Sequence, residues 1–63
     1  MFVVNVPKDL VFSFLEKGFE VYAFDYKQEC VSNLHYEPVN EILRLLTVDY
    51  VVYFVVQEEK EGK

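Results

Sequence analysis

The chain has 63 residues, 52% hydrophobic and 17% aromatic, with a formal net charge of −5. That length holds one domain, near the lower limit for folding without a metal, disulfides or a partner, and the apolar content excludes a disordered or low-complexity chain. An acidic chain repels phosphate backbones, which disfavours nucleic-acid binding, yet it suits the basic surfaces of other proteins.

Cys30 is the only cysteine. An internal disulfide is therefore impossible, which fits a reducing compartment. The start, Met1-Phe2-Val3-Val4-Asn5, has neither a basic segment nor a cleavage site. No apolar run reaches membrane-spanning length. The expectation is a soluble, cytoplasmic protein.

Phe2 to Val6 reads as a short strand ended by Pro7. Pro7 suits the first position of a helix, where its missing N–H costs nothing. Leu10, Val11, Phe14 and Leu15 recur at helical spacing, Phe12 lies off that stripe, and Gly18 suits the position just past a helix end. A helix is predicted over about 8–17. Phe19 to Tyr26 reads as a second strand, completing a βαβ signature. Lys27-Gln28-Glu29 can turn the chain, and Cys30 to Tyr36, although its alternation is weak, is read as a strand pairing back in a hairpin. Pro38 opens a second helix, whose Val39, Ile42, Leu43 and Leu46 form its apolar face.

The run Tyr50-Val51-Val52-Tyr53-Phe54-Val55-Val56 is the most informative stretch. Its β-branched and aromatic residues favour a strand. It does not alternate apolar with polar, so both of its faces require cover. The domain spans 1–57, and 58–63 is a charged tail.

The order β-α-β-β-α-β predicts an α+β fold. It is a two-layer βαββαβ sandwich of ferredoxin-like plan, with two helices on one face of a four-stranded sheet in the order 4-1-3-2. The alternative, without the hairpin, is a minimal three-stranded parallel α/β sheet. In either plan the last strand lies at a sheet edge, with one face under the helices and the other bare. An uncharged edge strand with a bare apolar face is an interaction patch. The candidate interface residues are Val3, Tyr50, Val51, Tyr53 and Val55, unless the opposite parity faces outward. The simplest cover is a second copy related by two-fold symmetry. Stacking of sheets and pairing of edges are both open.

Catalytic chemistry finds little support. His35 is the only histidine and has no second Cys or His at ligand spacing, so no metal site is assigned. Cys30 and His35 are five residues apart, which puts them on opposite faces of a strand. Cys30 is read as a small buried hydrophobe and His35 as a surface polar residue. The carboxylates Asp25, Glu29, Glu37, Glu41 and Asp49 are scattered, and the only glycines are Gly18 and Gly62, so no phosphate loop exists. No catalytic residue, cofactor or metal is assigned. Five tyrosines allow base stacking on a sheet, but few basic residues accompany them, and an interface suits them better. The reading is a non-enzymatic acidic protein-interaction module that self-associates through its sheet as a homodimer, with a larger protein partner as a further candidate. No nucleic acid or membrane is expected as a partner. The alternative is a ferredoxin-like domain sensing a small ligand or effector in a pocket at a dimer seam.

Overall fold

The computed structural model describes residues 2–57; the charged tail expected over 58–63 lies outside them. The strands are β1 (Phe2–Val6), β2 (Val21–Asp25), β3 (Cys30–Leu34) and β4 (Val51–Gln57). Helix α1 (Val11–Glu16) follows a 3-10 turn at Lys8–Leu10, and α2 is Val39–Leu45. Pro7 and Pro38 stand one residue ahead of the helical segments, as caps and not as first helical residues. Their carbonyls accept the first bonds, from Leu10 N at 2.9 Å and from Glu41 N and Ile42 N at 3.1 Å.

Local chemistry explains where these elements stop. After α1, Gly18 takes φ +91°, its N–H donates to Leu15 O, and Phe19 N–H donates to Phe14 O, each at 3.1 Å. This pair of bonds is the Schellman ending. Its usual apolar contact is present, because the rings of Phe14 and Phe19 meet edge to face with centroids 5.2 Å apart. Between β2 and β3, the Asp25 carboxylate accepts from Lys27 N at 2.8 Å and Gln28 N at 3.1 Å. Glu29 N then donates to Asp25 O at 2.7 Å, and Glu29 closes the hairpin at φ +54°.

The four strands form one sheet in the order β1-β4-β2-β3, with every neighbouring pair antiparallel. The hairpin of β2 and β3 is present, so the three-stranded parallel alternative is excluded. The α+β class holds, but the ferredoxin-like order 4-1-3-2 is not the observed one. β4 is not an edge strand: it lies between β1 and β2, and the edges are β1 and β3. The reason lies in β4 itself. It is the longest strand and carries no charge, and a central position pairs its backbone on both sides where an edge would leave it open.

Register settles which residues face inward. Val55 pairs with Val4 and Val21, and Tyr53 pairs with Val6 and Ala23. Val51, Tyr53 and Val55 are each 2% exposed and form the core with Val6, Val21, Ala23 and Leu34, beneath Val11 and Leu15 of α1 and Ile42 of α2. Both helices therefore cover the same face. Two expected helix stripes shift slightly: Leu10 and Leu43 are exposed, while Phe12 and Leu45 pack against the core.

Candidate interaction surface

The face of the sheet opposite the helices carries Val3 and Asn5 from β1, Val52, Phe54 and Val56 from β4, Tyr22 and Phe24 from β2, and Val31 and Asn33 from β3. The register places these side by side: Val3 with Val56, Asn5 with Phe54, Phe54 with Tyr22, Tyr22 with Asn33, Val52 with Phe24, and Phe24 with Val31. None of them is buried, and none carries a charge. Tyr22 and Phe54 stack with centroids 5.5 Å apart and planes inclined by 22°, and Phe24 meets Tyr26 edge to face at 5.1 Å. A solvated antiparallel sheet face ordinarily bears polar residues at these positions. Here, Asn5 and Asn33 apart, its four strands display aliphatic and aromatic groups instead.

This corrects the parity of the expected patch. Val51, Tyr53 and Val55 lie in the core and cannot contact another chain, and Tyr50 is half-buried against that core. Val3 is outward-facing and 59% exposed. The opposite set on β4 (Val52, Phe54, Val56) faces out. The inward choice has a packing reason. Tyr53 sits opposite the small Ala23, which leaves room for its ring beneath the helices. Phe54 sits opposite Tyr22, and two adjacent rings fit better on an open face, where they stack. Small-opposite-large pairing was the signal in the sequence, but it needed the register to be read.

The charged groups stand at the margins. Glu20 accepts a hydrogen bond from Tyr22 Oη at 2.9 Å, which raises the Tyr22 pKa above its ordinary value. Glu16 acts likewise on Tyr36, at 3.2 Å. Lys27 lies 4.5 Å from the centroid of the Tyr50 ring, a cation–π contact. Lys8 Nζ donates to Val48 O at 2.8 Å and lies 3.6 Å from an Asp49 carboxylate oxygen.

Other candidate sites bring little together. A depression of about 430 Å³ lies where β1 leaves the sheet, lined by Asn5 to Lys8, Asp49 and Val51 to Tyr53. Its two charges, Lys8 and Asp49, already pair with each other. Cys30 is exposed on β3, contrary to the buried role expected, and its thiol is 3.7 Å from Gln28 Oε1. Cys30 is the first residue of an edge strand, with no further strand among the described residues beside it to cover the thiol. His35 is exposed, as expected. Among the described residues, no three His, Cys, Asp or Glu side chains cluster as metal ligands, and no helix is long and apolar enough to cross a membrane. Compared with known proteins, the chain matches no family model, curated protein or solved structure.

Proposed function

We propose that this chain is a non-enzymatic protein-interaction domain that self-associates through its sheet and presents the sheet's open face to a larger protein partner. The observation that carries this reading is the uncharged aromatic and aliphatic face. It is of the kind that marks protein contact sites, and tyrosine and phenylalanine are enriched at the centres of such sites. The acidic remainder of the surface favours a partner with basic groups around an apolar centre, since charge complementarity steers encounter and excludes wrong partners. Nucleic acid is a poorer fit, because stacking on aromatic side chains must be accompanied by cations that hold the phosphates.

Sedimentation equilibrium across a wide concentration range tests the self-association. A single monomeric species up to millimolar concentration overturns it. Affinity capture with the wild type and with Phe54→Lys as the matched control tests the partner surface. A specific partner is retained by the first and lost by the second; a protein bound equally by both is not using this face.

A further inference from the structure

Resting on the self-association just proposed, we infer that two copies join edge to edge through β1, antiparallel about a two-fold axis, into one continuous eight-stranded sheet. β1 is an edge strand, paired only with β4. Its outer side offers unpaired backbone N–H and C=O groups, and the chemistry that completes such a row is another extended strand. Natural edges are protected by charge, proline or a bulge. Phe2-Val3-Val4-Asn5-Val6 contains no charge and no proline, and its pairing with β4 runs without interruption through all five residues. Phe2 and Val3 on it are 49% and 59% exposed. The other edge, β3, is less suited: three of its residues, Cys30, Ser32 and Asn33, are polar or weakly polar, against Asn5 alone on β1.

The β1 sequence is also self-complementary under two-fold symmetry. With Val4 on the axis, Phe2 of one copy lies opposite Val6 of the other, and Val3 lies opposite Asn5. The helix-side residues Phe2, Val4 and Val6 then meet only one another, so the faces stay in phase across the join, as the two-residue period of a strand requires. The exposed ring of Phe2 gains an apolar neighbour beside the other copy's core.

Unpaired backbone, and not area, favours this arrangement over stacking of the two open faces. Four strands at about 4.8 Å spacing and five residues at about 3.4 Å give a face of roughly 320 Å² in plan, and the β1 edge is smaller still, but only the edge carries N–H and C=O groups that another strand completes. Face-to-face stacking would consume that small area and leave the edges bare. Edge pairing adds backbone hydrogen bonds and sets two open faces side by side, roughly 650 Å² in plan, as one surface for a larger partner.

Light scattering on three proteins decides the matter: wild type, Val3→Lys and Val31→Lys. Both replaced side chains are exposed on the open face, but Val3 is on the β1 edge and Val31 on the β3 edge. The expected result is a dimeric wild type, a dimeric Val31→Lys and a monomeric Val3→Lys whose melting by circular dichroism shows a folded protein. Should Val3→Lys melt early, Asn5→Lys on the same edge gives the same reading. Loss of the dimer in both lysine variants means that the faces stack. Loss only in Val31→Lys means that β3 is the edge used. Either outcome overturns the β1 arrangement while leaving self-association standing. A monomeric wild type overturns both.

Discussion

The hydroxyl of Tyr53 sits in the core without a hydrogen-bond partner among the described residues, on a side chain that is 2% exposed. An unsatisfied buried donor costs about 1–3 kcal/mol. Tyr53→Phe removes that cost and keeps the ring against Ala23. The expected result is a gain of about 1 kcal/mol in urea denaturation, equivalent to a rise of roughly 4–8 °C in Tm for a domain of this size. An unchanged or lowered stability would show that the hydroxyl is satisfied after all. The same burial raises the Tyr53 pKa above 10, because the phenolate would lie in an apolar setting. The sign follows from linkage. Below pH 10 both folded and unfolded chains keep the proton, and stability is unaffected. As pH rises through the unfolded value and on toward the higher folded value, the unfolded chain ionises first and the fold loses stability. Denaturation followed from pH 9 to 11.5 should show this decline, with a shallower slope in Tyr53→Phe.

At the scale of single elements, the two positive-φ residues among those described carry opposite predictions. Gly18 at φ +91° has nothing within 4 Å of where a Cβ would stand, so Gly18→Ala meets no neighbouring atom, and its cost is the strain of an L side chain held at positive φ. The expected cost is about 1–2 kcal/mol. Glu29 occupies the left-handed region without being glycine. Glu29→Gly should relieve that strain and stabilise the hairpin by about 0.5 kcal/mol, after the entropy of the added glycine is subtracted. Thermal melts of both variants check the pair, and a destabilised Glu29→Gly would contradict the strain. Gly18 was legible in the sequence because a glycine after an apolar helical stripe has few other uses. So were the helices and the hairpin, whose prolines and turn residues act locally. The place of β4 in the sheet was not legible, since strand order depends on how distant segments pair and the βαββαβ order fits more than one arrangement. Its parity was hidden for a related reason. In Tyr50 to Val56 both faces are apolar, so no alternation distinguishes inside from outside. Replacement now separates them: Val55→Lys buries an unpaired charge and should unfold the domain, whereas Val56→Lys should shift stability by no more than about 0.5 kcal/mol.

For the whole molecule, the net charge and the uncharged sheet act against each other. Two copies, each of charge −5, repel whenever they associate. In the β1 join the two sheet centres would lie four strand spacings apart, about 19 Å. In water that repulsion is about 5 kcal/mol before screening. Salt attenuates it to roughly 3 kcal/mol at 0.01 M, where the Debye length is about 30 Å, and to about 0.5 kcal/mol at 0.15 M, where it is about 8 Å. Self-association through an uncharged edge should therefore tighten roughly 50-fold between those ionic strengths. Sedimentation equilibrium at the two salt concentrations measures this directly. A basic partner should respond in the opposite sense, because its attraction to the acidic surface is screened by the same ions. Salt thus separates the two contacts by sign. A dimer that weakened as salt rose would place attractive ion pairs in the interface, and an uncharged β1 join has none to offer.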